Sequence, residues 1–214
     1  MSQFCAVLTG DLINSTKTDR EIVERAFDAL FKAGDAVRDF DSEGGTAIER
    51  YRGDGWQVLV RDPRFALRAA LMFSAAVASV DRSIATRIAV GTGPLEGLNP
   101  AGLGASDGPA FRISGRLLEA MPRGAQIALK RTGLTLSEDS WRAVSFALAG
   151  AVAENWTQKQ ALVMRHLLPL PAPTQTDIAS RIGVTQQTVQ QHFESAHGPL
   201  LLDLLEQVET VGWL

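Results

Sequence analysis

The stretch "YRGDGWQVLV" (51–60) decides how this chain is read, because it sets Gly53-Asp54-Gly55 between two segments with strand character. Glycine and aspartate tolerate the φ values of tight turns, so the simplest expectation is a β-hairpin. Alternate side chains on a strand share a face, which puts Arg50, Arg52 and Asp54 in one charged row that an apolar core would exclude. Upstream, "FCAVLTGD" (4–11) is a short apolar run ending at Gly-Asp, as a buried strand followed by a turn would be. The question is whether Asp54 only turns the chain or holds a ligand together with Asp11.

Working outward, "TKTDREIVERAFDALFKAGDAVRDF" (16–40) carries a helical stripe of Ile22, Val23, Ala26, Phe27, Leu30 and Phe31, with capping-box spacing from Thr18 to Glu21. Residues 63–81 read as a second helix with Pro63 in its first turn. "ATRIAVGTG" (85–93) reads as a strand, 91–108 as a long Gly/Pro-rich loop, the stretch from about Ala110 to Pro122 as a helix and "AQIALK" (125–130) as a last strand. The order β-α-β-β-α-β is that of an α+β, ferredoxin-like or palm domain, assigned to residues 1–150. Trp56 and Phe111 are expected in its core.

Residues 151–214 are helical by pattern and are expected to form a small all-α domain. In "TQTDIASRIGVTQQTVQQHFESA" (174–196), Ile178, Ala179 and Ile182 form an inner face. Gly183 permits a sharp turn, Val184 is expected to plug it, Thr185 is a candidate N-cap and Val189 faces inward. This is a helix-turn-helix pattern. Its second helix would present Thr185, Gln186, Gln187, Gln190 and Gln191 to DNA, with Arg181 nearby, since Gln can pair with adenine edges in the major groove.

Charge limits that expectation. The net charge is −3, with 18 Lys+Arg and 18 Asp+Glu in residues 1–150 but three cations and six acids in 151–214. Phosphate contacts normally dominate affinity for DNA, and the candidate recognition helix has no Lys or Arg. All three histidines (His166, His192, His197) lie in the second segment, so a metal in the first must be held by oxygen, which favours Mg²⁺ or Mn²⁺. Cys5 is the one cysteine, so no disulfide can form within the chain. Without an apolar run of membrane-spanning length or a secretory-type start, a cytoplasmic setting is expected.

Asp11 and Asp54, at the ends of strands that the palm arrangement sets side by side, could together hold divalent ions against a nucleoside triphosphate. The motifs "TGDLINST" (9–16), "RYRGDGWQVLV" (50–60), "ATRIAVGTG" (85–93) and "GPAFRISGRL" (108–117) resemble, in order and spacing, class III nucleotide cyclase homology domains, and within them most the SatD family. The resemblance covers roughly residues 3–135. It implies metal ligands at Asp11 and Asp54, a catalytic Arg116 that stabilises charge in phosphoryl transfer, and a homodimer. Ser15, Arg50, Arg52, Asp107 and Arg112 become nucleotide-binding candidates. This chain departs from the cyclase pattern where Arg50 replaces a base-selecting Lys, Arg112 an Asn and Ala105 an acidic residue, with Asp107 close by.

The leading expectation is a DNA-binding transcriptional regulator whose cyclase-like domain binds a nucleotide with a divalent metal. The alternative is a nucleotidyl cyclase or related phosphoryl-transfer enzyme with a regulatory helical part. A third is a pair of purely structural modules.

Overall fold

β1 (Phe4–Ile13) runs through the middle of the sheet in the computed structural model, which describes residues 4–41, 48–51, 53–122, 124–133 and 140–210. It is flanked on one side by β3 (Gly55–Val60) and β2 (Ile48–Tyr51), and on the other by β4 (Ala85–Pro94) and β5 (Ile127–Arg131), giving the order β2-β3-β1-β4-β5. β1 is antiparallel to both neighbours, and β2 and β3 form the expected hairpin. β5 lies parallel to β4, as a strand returned through a crossover helix must. The first four strands thus have the ferredoxin-like palm topology, with β5 added at the edge.

β1 is apolar almost throughout because both its faces are covered. Ala6, Leu8 and Leu12 point to the side where α1 (Arg20–Phe40) and α2 (Ala66–Ala78) pack, while Cys5 and Val7 meet Leu59, Leu103, Ala110 and Phe111 on the other. α3 (Pro109–Ala120) lies on that second face, against β4 and β1. Trp56 is fully buried and Phe111 nearly so, as expected for core residues. The N-cap of α1 is Asp19, which accepts from the Glu21 amide, one residue later than the sequence spacing suggested.

α2 is buried nearly all round, which a helix tolerates only when a second layer covers its far side. α5 (Gln158–Leu167) provides that layer, and α4 (Ser140–Glu154) packs against β5 and α2. One apolar cluster runs from Leu8 and Leu30 through Leu71 to Met164, Val189 and Leu205 without a break. The expected division at 150/151 falls inside α4. Polar ties cross it too: Gln158 Nε2 donates to the Ser79 carbonyl at 3.2 Å and to the Val80 carbonyl at 2.9 Å.

α6 (Gln175–Ile182) and α7 (Gln186–Ser195) are joined by three residues, and α8 (Gly198–Thr210) completes the group. Thr174 and Asp177 form a capping box at the start of α6. Gly183 ends it at φ 70°, a conformation that costs other residues strain. Thr185 caps α7 through the Thr188 amide at 3.1 Å. Ile178, Ala179 and Val189 are buried between the helices, but Val184 is 40% exposed and plugs nothing. No described helix is long and apolar enough to cross a membrane.

Candidate metal and polyphosphate site

The register of three strands builds one pole of the sheet. Asp11 on β1 stands opposite Gly55 on β3 and opposite Arg87 on β4. The turn of the hairpin is held beside β1 by the Leu12 amide, which donates to the Asp54 carbonyl at 3.2 Å. Asp11 and Asp54 therefore come from adjacent chain segments, as the palm arrangement predicts.

Arg87 was not expected here. Its Nε donates to Asp11 Oδ1 at 3.0 Å and its Nη2 to Oδ2 at 2.5 Å, a two-pronged pair with both side chains about one-quarter exposed (23% and 26%). Hydrogen bonding to Asp11 raises the guanidinium above its ordinary pKa, and the charges of Asp11 and Asp54 add to this against a smaller cost of burial. Asp54 therefore lies within electrostatic reach of Arg87. The Arg87 backbone is fixed by its neighbours, since Thr86 Oγ1 donates to the Asp11 carbonyl at 2.8 Å and accepts from Trp56 Nε1 at 3.0 Å.

Ser15, in the turn after β1, donates to Asp54 Oδ2 at 2.6 Å. The turn itself passes through Asn14 at φ 64°, whose carbonyl accepts from the Lys17 and Thr18 amides. Ser15, Thr16, Val23, Arg50, Gly53 and Asp54 line a concavity of about 290 Å³. Arg50 is committed within it: Nε donates to the Gly53 carbonyl at 2.8 Å, Nη1 pairs with Glu24, and the guanidinium lies 3.8 Å from the centre of the Phe27 ring. It braces the hairpin against α1. Arg52 lies outside the described residues.

A second concavity, about 270 Å³, is lined by Thr9, Tyr51, Gln57, Gly104, Asp107 and Arg112 among others. Gln57 Nε2 donates to Thr9 Oγ1 at 3.0 Å, and Thr9 and Ser114 share a hydrogen bond at 2.8 Å beneath α3. Asp107 and Arg112 pair with each other at 2.6 Å, both well exposed, a contact of small energetic worth. Arg116 is exposed on α3 and lines neither concavity. No hydrogen bond or ion pair joins it to Asp11 or Asp54 among the described residues.

Of the DNA candidates, Thr185, Gln186, Gln187 and Gln191 are exposed along α7, and Arg181 on α6. Gln190 is not free to read a base. Its Oε1 accepts from Gln175 Nε2 at 2.5 Å, and its Nε2 donates to Glu194 at 2.6 Å.

A metal fits this pole within limits. No group of three or more His, Cys, Asp or Glu side chains gathers among the described residues. Mg²⁺, however, often uses only one or two carboxylates and takes its other ligands from water and phosphate oxygens. Asp54 Oδ1 accepts no hydrogen bond among the described residues, whereas both oxygens of Asp11 are engaged by Arg87.

No family model and no curated protein matches the chain. Among solved structures it is similar to the guanylyl cyclase Cya2, at 18% identity over 60% of this chain and 77% of that one, TM-score 0.43. It is also similar to the monomeric guanylyl cyclase domain of the RhoGC fusion protein from the aquatic fungus Blastocladiella emersonii, at 16% identity over 60% and 81%, TM-score 0.43. A third is the catalytic core of a rhodopsin-guanylyl cyclase with converted specificity in complex with ATPαS, at 14% identity over 67% and 82%, TM-score 0.45. These likenesses assign no role to any residue, and the site stands on the chain's own geometry.

Proposed function

We propose that the pole formed by Asp11, Asp54, Ser15 and Arg87 binds the polyphosphate of a nucleotide together with a divalent cation, as in a nucleotidyl cyclase or related phosphoryl-transfer domain. The observation that carries this reading is the Asp11–Arg87 pair on neighbouring strands, with the hairpin turn that bears Asp54 held against β1 by the Leu12 amide. Mg²⁺ or Mn²⁺ held by Asp54 and Asp11 would neutralise phosphate charge and activate an attacking hydroxyl. The Ser15 hydroxyl orients Asp54 by binding one oxygen and leaving the other open. Arg87 supplies a positive charge paired with Asp11 and within electrostatic reach of Asp54. Arg116, exposed on α3, keeps the charge-stabilising role in phosphoryl transfer that the resemblance implies, and Asp107 and Arg112 line the neighbouring concavity.

A thermal-shift series with ATP and GTP, with and without Mn²⁺, tests the reading on the wild type and Asp54→Asn. A ligand at about a hundred times its Kd adds about 2.7 kcal/mol. In a chain of this size that raises Tm by roughly 5–10 °C. The rise is expected for one nucleotide, only with metal, and lost in Asp54→Asn. An equal rise in the variant would remove Asp54 from the site. Chromatography for a cyclic product then separates turnover from binding alone.

DNA binding is the second reading, and its place as the leading one is given up because α7 offers a neutral face and loses Gln190 to internal bonds. One observation keeps it. Arg181 is a cation exposed on α6, the helix packed against α7. Fluorescence anisotropy with a short duplex is expected to show weak binding that vanishes with salt. Arg181→Ala should reduce the slope of log K against log salt by about 1. No binding at low salt removes this reading.

A further inference from the structure

We propose that Arg87 makes cation binding and polyphosphate binding mutually dependent, because the guanidinium that closes Asp11 in the free chain is the group that must turn to a phosphate once a cation takes that carboxylate. The inference rests on the metal and polyphosphate reading of this pole. Both Asp11 oxygens are occupied by the Arg87 fork. A divalent ion that takes Asp11 therefore competes with the guanidinium for the same two oxygens, and each gains as the other's hold on them weakens.

The displaced guanidinium has few places to go. Its backbone is pinned between Thr86, bonded to the Asp11 carbonyl and to Trp56, and the buried Ile88, so only the side chain can move. The other nearby carboxylate, Asp54, is already bonded to Ser15 and would itself face the cation. Arg87 would then stand beside a like charge unless an anion arrived to share it. A cation alone thus binds against the cost of freeing Arg87, and a polyphosphate alone meets a guanidinium that is already engaged. Together each removes the other's obstacle, and the coupling is reciprocal by thermodynamic linkage.

The test uses Mn²⁺ alone, read by electron paramagnetic resonance of the free ion, and sodium tripolyphosphate in EDTA, read by calorimetry. Arg87→Met is expected to bind Mn²⁺ at least about tenfold more tightly than wild type, which corresponds to about 1.4 kcal/mol. Asp11→Asn sets Arg87 free without a metal. It should bind tripolyphosphate in EDTA at least about tenfold more tightly than either wild type or Asp54→Asn, the control for removing one negative charge. The double variant with Arg87→Met should lose that gain. Mn²⁺ binding that Arg87→Met leaves unchanged or weakens overturns the proposal alone, as does an Asp11→Asn chain no better than Asp54→Asn. Failure of every chain to bind Mn²⁺, with or without tripolyphosphate, overturns the underlying reading as well. If Asp11→Asn does not fold, the Mn²⁺ arm still decides.

Discussion

Glu209→Ala is expected to destabilise the whole chain by about 3–5 kcal/mol, the cost of leaving a buried charge without its partner. Arg68 on α2 is 7% exposed and Glu209 on α8 is 15% exposed, and they meet through Nε to Oε1 at 2.6 Å and Nη2 to Oε2 at 3.0 Å. Arg68 Nη1 also donates to the Leu168 carbonyl at 2.9 Å, so three elements distant in sequence share one guanidinium. Removing the carboxylate strands the cation where water reaches it poorly. Replacing both residues, as Arg68→Met with Glu209→Leu, should recover most of the loss, because apolar pairs of similar volume fill such sites at little cost. Differential scanning calorimetry checks this. At roughly 2–4 °C per kcal/mol the single variant melts about 6–20 °C lower, in one transition. A separate early transition for the C-terminal helices, with the rest unmoved, would show that residues 151–214 unfold on their own.

Gly91→Ala should have the second largest effect. A Cβ built at Gly91 would lie 2.4 Å from the Ala110 carbonyl oxygen and 2.6 Å from the Ser114 amide nitrogen. Both are backbone atoms of α3, so no side chain can rotate away and the helix itself must lift off the sheet. Overpacking of this kind costs about 1–3 kcal/mol, and the upper end is expected here. The lift also pulls Ser114 from Thr9 and with it the wall of the second concavity. Gly115→Ala on the same helix is the control. Nothing lies within 4 Å of its added Cβ, so it should stabilise the chain by about 0.5–1 kcal/mol through helix propensity. Urea denaturation of the two variants should move in opposite directions. Destabilisation by both would indicate that α3 tolerates no change, and the close-approach account of Gly91 would lose its support.

The palm topology was legible because its signals are local. "GDG" between two strand patterns marked the hairpin, and the apolar stripe of α1 marked a helix between the first strand and that hairpin. Asp11 beside Asp54 followed from the same topology. Arg87 did not, although "ATRIAVGTG" sets an arginine among apolar residues. Its meaning depends on which residue of β1 lies opposite, and register is a property of two strands rather than one. The contacts of Arg50 were hidden for a related reason. Its partners Glu24 and Phe27 sit on α1, and the strand pattern could not reveal that the helix would cover that side of the hairpin. The buried trio of Thr9, Gln57 and Ser114 left a fainter signal, single polar residues inside apolar runs. The helical C-terminal part was legible in its elements but not in its attachment. Nothing in the helix-turn-helix pattern announced that α5 would cover α2.

That attachment restricts how a message could pass between the two halves of the molecule. If the C-terminal helices swung about the residues joining α4 to α5, the outward side of α2 would be stripped of its cover and the Arg68–Glu209 pair torn open. Each fully buried aliphatic side chain so exposed costs about 1.5–3 kcal/mol, and a few of them exceed the 1–3 kcal/mol that coupling between sites typically supplies. A hinge is therefore the wrong picture for this chain. Any influence of the carboxylate pole on α7 has to travel as a small sliding of α1 and α2 beneath an intact interface, so the two ends would answer each other as gears in mesh rather than as a door and its frame.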